Sequence, residues 1–132
     1  MDNIWNFKIE LNDDGVFEKL KKHYSAPIPD ELKDFIKEAN ASNPEKNLIQ
    51  VNGEELVFET VLSFNETETE AVSVFSIIDD DQMDTAVPFG LDPFGNIFYC
   101  SLKDSRVLFY NHEEDKYEDT QYTLEEFISS LY

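Results

Sequence analysis

Over the first part of the chain, apolar positions return at helical spacing. Phe17, Leu20 and Tyr24 fall at i, i+3 and i+7 with Lys19, Lys21 and Lys22 between them. This spacing predicts an amphipathic helix, entered at Asn12-Asp13-Asp14, residue types that cap helix N-termini. Pro27-Ile28-Pro29 interrupts it. Pro29 suits the first turn of a second helix, Asp30 and Glu31 complement its dipole, and Leu32, Phe35, Ile36 and Ala39 form one stripe with its exit marked by Asn43-Pro44. Before the first helix, Trp5 and Phe7 alternate with polar neighbours, the pattern of a short strand or a packed arm.

The period then shortens. Leu48–Val51 and Glu55–Phe58 flank Asn52-Gly53, a pair that tolerates the positive φ values of a type I′ turn, and predict a hairpin. Val61-Leu62-Ser63-Phe64 is expected to continue the sheet. Thr67 and Glu70 have capping-box spacing ahead of Ala71, Val74, Phe75 and Ile78, which predicts a short third helix, although β-branched Val72 and Val74 weigh against it. From Ala86 the pattern is β: Val87–Leu91, Ile97–Leu102, Val107–Tyr110 and a weaker strand over Tyr117–Tyr122, the first two joined by the turn Asp92-Pro93-Phe94-Gly95-Asn96. Thr123 and Glu126 then form a capping box, Tyr122 and Phe127 stand at hydrophobic-staple positions, and Leu124, Phe127, Ile128 and Leu131 make the buried face of a closing helix. The expected fold class is α+β: a mostly antiparallel sheet of about five to six strands, helices at both chain ends, one short central helix and a single domain over residues 1–132.

Charge changes this picture from one of fold to one of partners. The chain has 29 acidic and 10 basic residues, a formal net charge of −19, yet at 41% hydrophobic and 14% aromatic it is too apolar to be a disordered acidic tail. The charge is unevenly placed: residues 47–102 contain no Lys or Arg and eleven acids, from Glu54 to Asp92. Such a surface repels phosphate, which excludes nucleic acid and anionic membranes as direct partners and favours a cationic protein. Cys100 has no second cysteine to pair with, the N-terminus shows no signal-peptide pattern and no apolar run has membrane-spanning length, so the expected location is cytoplasmic.

Catalytic sets do not assemble. The run Asp79-Asp80-Asp81 with Asp84 lacks the alternation, Gly and Glu of a calcium loop, and reads first as a solvated loop ending a helix. Three acids at a helix C-terminus oppose its dipole at about 0.3–1 kcal/mol each, which suggests that they serve a partner rather than folding. His112-Glu113-Glu114-Asp115 has no second histidine at helical spacing and reads as a hairpin tip. Cys100, inside an apolar strand, reads as core. No Gly-x-Ser-x-Gly, phosphate loop or cofactor motif is present, and the chain is expected to be neither an enzyme nor a holder of metal or cofactor. Most of the aromatic residues fall on predicted core stripes, whereas Phe94 either caps the core from its turn or stands out as an interface anchor.

Several segments together resemble the SUKH superfamily, which includes the yeast cell-wall-synthesis regulator and many bacterial proteins. Ile28-Pro29-Asp30-Glu31-Leu32-Lys33-Asp34-Phe35 is similar to the entry to that family's second helix, and Val87 to Cys100 to its central hairpin, where a Gly-Asn pair opens the next strand. Val107–Glu113 resembles the following strand and acidic turn, and Thr123–Tyr132 the closing helix. The chain departs from the family where an Asn-Gly-Gly turn is common and Asn40-Ala41-Ser42-Asn43-Pro44 stands here. The resemblance implies a non-enzymatic α+β domain and, in bacteria, an immunity protein that neutralises a secreted toxin, often a nuclease. The expected partner is then a cognate basic toxin domain, met through Glu66, Glu68, Glu70, Asp79, Asp80, Asp81 and Asp84, with Phe94 as an apolar anchor; these roles come from charge and predicted exposure. The alternative is a regulatory or scaffold domain like the yeast regulator, and a more distant one a metal-dependent hydrolase using the acidic loop and His112.

Overall fold

A computed structural model describes residues 3–132. In chain order, strand β1 (Trp5–Asn6) precedes helices α1 (Val16–Tyr24) and α2 (Asp30–Ala39). Strand β2 (Asn43–Pro44) returns to pair antiparallel with β1. Strands β3 (Leu48–Val51) and β4 (Glu54–Val57) form the expected hairpin about Asn52 (φ 50°) and Gly53 (φ 86°). Strand β5 (Thr60–Val61), helix α3 (Val74–Ile78), strands β6 (Ala86–Leu91), β7 (Ile97–Ser101), β8 (Arg106–Asn111) and β9 (Lys116–Thr123), and helix α4 (Leu124–Ser129) complete the chain. Strands β5 to β9 make one antiparallel sheet in sequence order, so the α+β class holds.

Four local expectations are corrected. Helix α1 starts at Val16 with Gly15 as N-cap and no side-chain cap; Asp13 instead accepts the Gly15 amide (2.8 Å), and Asn12 donates its amide to Asn65. Pro29 is the N-cap of α2 rather than a first-turn residue, and α2 ends at Ala39, before Asn43-Pro44, which is itself a strand. Of the expected continuation Val61–Phe64 only Val61 pairs in the sheet, together with Thr60 before it; Ser63 makes an isolated parallel bridge to Ser73. The Thr67–Glu70 box does not form. Glu68 is drawn instead to Ser63 and Asn65, the chain stays irregular to Val72, and α3 begins at Val74 with Ser73 accepting from the Phe75 amide. The closing helix is as expected: Thr123 and Glu126 cap each other's backbone, and the Tyr122 and Phe127 rings lie 6.2 Å apart.

The core lies on one face of the sheet, between it and the helices. Phe98, Cys100, Val107 and Phe109 point inward from β7 and β8 and are buried with Leu32 and Ile36 of α2 and Leu124 and Phe127 of α4. Phe58 stands at its centre, with ring centroids 5.7 Å from Phe89, 5.2 Å from Phe98 and 5.4 Å from Phe127. The series continues through Phe89–Phe35 (6.2 Å) to Phe35–Trp5 (5.2 Å), so that edge-to-face contacts run from the sheet to the N-terminal arm. Space for Phe58 comes from Gly90, where β6 is bulged between Pro88 and Gly90: a Cβ there would lie 2.1 Å from Phe58 Cε1.

Buried amides tie the arm down. Asn40, fully buried, donates Nδ2 to the Ile9 carbonyl (2.9 Å) and accepts the Phe64 amide on Oδ1 (2.7 Å). Asn65 donates to the Glu10 carbonyl (3.0 Å) and accepts from the Asn12 amide (2.7 Å). After Asn40, Ala41 takes φ 58°, a left-handed conformation that a residue with a Cβ seldom adopts.

Gly90→Ala is expected to lower stability by about 2–3 kcal/mol through overpacking against Phe58, and Asn40→Ala by about 2–4 kcal/mol through two orphaned backbone groups. Both are read from urea midpoints at constant m; a loss below about 0.5 kcal/mol in either variant would contradict the role given to that residue.

Candidate functional site

The outer face of the sheet breaks the usual alternation. In an antiparallel sheet covered on one side, the residues between inward-facing ones are expected to be polar. Here the positions alternating with Phe98, Cys100, Val107 and Phe109 are Ile97, Tyr99, Leu108 and Tyr110, and Tyr117 of β9 pairs directly opposite Tyr110. The Tyr110 and Tyr117 rings are tilted at 36° with centroids 4.6 Å apart, and Tyr99 meets Tyr117 edge-on at 5.7 Å. The loop after α3 runs beside these rings and closes a cleft of about 700 Å³, lined among others by Asp80, Asp81, Asp84, Tyr99, Tyr110, Asp115 and Tyr117.

Asp81 joins loop and sheet. Its Oδ2 accepts from the Tyr99 hydroxyl at 2.8 Å, while Oδ1 is buried without a partner. Burial raises its pKa above the ordinary value, against the opposing pull of the Tyr99 hydrogen bond and of nearby His23. Tyr99 is raised in turn, by its own burial first and then by Asp81. At the far side Tyr110 donates to Asp115 (2.6 Å), which raises the Tyr110 pKa. Asp79, Asp80 and Asp84 are exposed and carry no ion pair among the described residues.

The other predicted acids have different employment. Glu66 pairs with Lys19 of α1 at 2.5 Å. Glu68 is half-buried and accepts from Ser63 Oγ (2.7 Å), Asn65 Nδ2 (3.3 Å) and the Glu70 amide (3.2 Å), chiefly the first of which lowers its pKa. It therefore organises the 65–72 loop. Glu70 is exposed beside Phe7, Ile9 and Thr60. The eight predicted residues thus divide between the cleft (Asp80, Asp81, Asp84), the α3 C-terminus (Asp79), the 65–72 loop (Glu66, Glu68, Glu70) and the turn that carries Phe94.

Phe94 is 75% exposed and does not cap the core. Its turn is held from several sides: Asp92 Oδ1 accepts the Phe94 and Asn96 amides (both 2.8 Å), Asp92 Oδ2 accepts Asn96 Nδ2 (2.8 Å), and His112 Nε2 lies 2.8 Å from the Phe94 carbonyl. His112, read in the sequence as a hairpin tip, is thus part of that turn's support. The turn backbone that carries the exposed ring is held in place, which lowers the ordering cost of using the ring as an interface anchor. Cys100 is buried, and burial first, with Glu31 and Asp104 nearby, pushes its thiol up to about 12. It stays protonated. Among the described residues no three His, Cys, Asp or Glu side chains converge to hold a metal ion, and no helix is long and apolar enough to cross a membrane.

Sequence reasoning missed Tyr99, Tyr110, Asp115 and Tyr117 as members of this surface. The available signal was the apolar or aromatic residue at every position of Ile97–Cys100 and Val107–Tyr110, a density that one covered face does not need.

Glu68 and Asp81 should have opposite pH signatures. The depressed Glu68 pKa contributes stability above its unfolded value that is lost as pH falls through the folded value, so Glu68→Gln is expected to destabilise at pH 7 and to have progressively less effect in acid. The raised Asp81 pKa means that stability falls as pH rises from the unfolded value through the folded one, so Asp81→Asn is expected to stabilise at pH 7, with the gain fading towards pH 3.8. Urea midpoints measured from pH 3 to 8 check both; parallel profiles would refute the assignment.

No curated protein matches the chain. A family model described as SMI1-KNR4 cell-wall, SUKH_6, matches residues 14–128, which takes in α1 through α3, the cleft, the Phe94 turn and all of α4 but its last residue. The match extends over most of the sequence, and the α+β order found here carries the segments on which the resemblance rested: the chain belongs to the SUKH family of SMI1-KNR4 proteins.

Proposed function

We propose that this protein is a cytoplasmic, non-enzymatic immunity protein that binds and neutralises a cationic toxin domain, of nuclease type, through an acidic surface. SUKH membership supports a protein-interaction domain of the SMI1-KNR4 kind. The observation that carries the finer reading is the exposed, unpaired set Asp79, Asp80 and Asp84, in a 56-residue stretch without a single Lys or Arg. A nuclease must be basic where it holds phosphate, so an acidic inhibitor speeds encounter and competes for the substrate site with the same charges. The exposed Phe94, on a hydrogen-bonded turn, offers apolar contact at a second point of the same chain. Glu66 and Glu68, already engaged within the protein, contribute to the field more than to direct contacts. The cell-wall description of the matching family favours a second reading, a regulatory scaffold.

The test is association with the toxin domain encoded beside the gene. Replacing Asp79, Asp80, Asp81 and Asp84 together by Asn is expected to slow association about tenfold or more at low ionic strength and to flatten its salt dependence. Unchanged affinity and salt slope would remove this patch from the interface. A gene neighbourhood without any toxin gene would favour the regulatory reading instead.

A further inference from the structure

We propose that the cleft between the α3–β6 loop and the outer face of the sheet receives an arginine side chain of the protein partner. The proposal deepens the acidic-surface reading and rests on it. Two independent features meet here. Tyr110 and Tyr117 form an accessible aromatic wall on the outer face of the sheet, with Tyr117 40% exposed and Tyr99 buried beneath them against Tyr117. Asp80, Asp81, Asp84 and Asp115 line the same cleft, and Asp80 and Asp84 are exposed there without an ion pair among the described residues.

A guanidinium matches both features at once: its plane stacks on aromatic rings, and its fork of N–H donors addresses carboxylates. An ammonium satisfies the carboxylates alone and surrenders its hydration less readily. An uncharged apolar side chain would leave the carboxylates desolvated without a counter-charge. Arg106, the chain's own arginine on β8, does not fill this role, because Asp104 (3.8 Å) and Asp119 (3.4 Å) already hold it. At about 700 Å³ the cleft has room for one such side chain and the backbone that carries it.

The probes are a tetra-arginine peptide and a tetra-lysine peptide of equal charge, titrated into the whole protein while the tyrosine ring resonances are followed by NMR. The expected result is tighter binding of tetra-arginine, with the largest ring shifts at Tyr110 and Tyr117. Tyr117→Leu, which removes a partly exposed ring and no charge, is expected to weaken tetra-arginine binding about three- to tenfold and to leave tetra-lysine binding unchanged. Equal affinity for the two peptides, shifts confined to another surface such as the acidic groove between α2 and α4, or equal losses in the variant would overturn the cleft while sparing the acidic-surface reading. Binding of neither peptide would overturn both. The ring shifts in the unaltered protein decide the matter even if the variant folds poorly.

Discussion

The ring of Phe58 occupies the volume that a side chain at position 90 would need, and most of the fold is arranged around that fit. A glycine within a strand normally weakens it, having nothing to pack and more freedom to lose. Here the missing Cβ lets the ring lie directly on the backbone of β6, where it meets Phe89, Phe98 and Phe127. Those contacts join elements far apart in sequence: the segment after the β3–β4 hairpin, the first two long strands, and the closing helix. The bulge at Pro88–Gly90 belongs to the same solution, since it changes the register on one side of Gly90 and leaves Phe89 facing the core.

A molecule with net charge −19 pushes against its own compactness, and the way it holds its periphery reflects that. The arm before α1 is fixed by Asn40 and Asn65, neutral amides that satisfy backbone donors and acceptors on both sides without adding charge to the interior. Likewise, the β3–β4 hairpin is joined to β9 through Asn52 Nδ2 on the Asp119 carbonyl (3.2 Å) and Tyr122 Oη on the Gln50 carbonyl (2.7 Å). Exposed ion pairs such as Lys33–Asp30 add little to stability, about 0–1 kcal/mol each. The carboxylates that take part in the fold, such as Glu68 and Asp92, do so by accepting hydrogen bonds rather than through ion pairs, and Asp79, Asp80 and Asp84 carry no ion pair among the described residues.

What the sequence made legible was whatever local chemistry decides. The Thr123–Glu126 box, the Asn52-Gly53 turn and the strands from Ala86 onward depend on residues within a few positions of each other, and they formed as expected. What stayed hidden was decided across the chain. Thr67 and Glu70 have the right spacing for a cap, but Glu68 finds Ser63 and Asn65, and the helix waits for Ser73. The role of Asn40 had no local signal, because its two partners, Ile9 and Phe64, lie far from it on opposite sides in sequence. Tyr99, Tyr110 and Tyr117 were counted with the core because strand residues of both faces are aromatic or apolar, and only the register separates the faces. The acids of the α3–β6 loop were legible as a group; their position beside those tyrosines was not.

The two faces of the sheet therefore answer different physical demands. The inner face is filled by Phe rings that need no hydrogen bond and gain from complete removal from water. The outer face carries tyrosines, whose rings give contact area with few rotatable bonds and whose hydroxyls must find acceptors; Asp81 and Asp115 supply them for Tyr99 and Tyr110. Each carboxylate that accepts from a tyrosine is also held in place, so Asp81 and Asp115 are fixed in position beside the exposed, unpaired Asp79, Asp80 and Asp84. Long-range attraction from the whole acidic segment falls off within about 10 Å at ordinary salt and cannot by itself distinguish one basic protein from another. Fixed carboxylates beside fixed rings act at contact distance, where shape and hydrogen-bond geometry do distinguish. A surface that had only to repel phosphate or attract any cation would need the acids alone; the tyrosines are what a selective one requires.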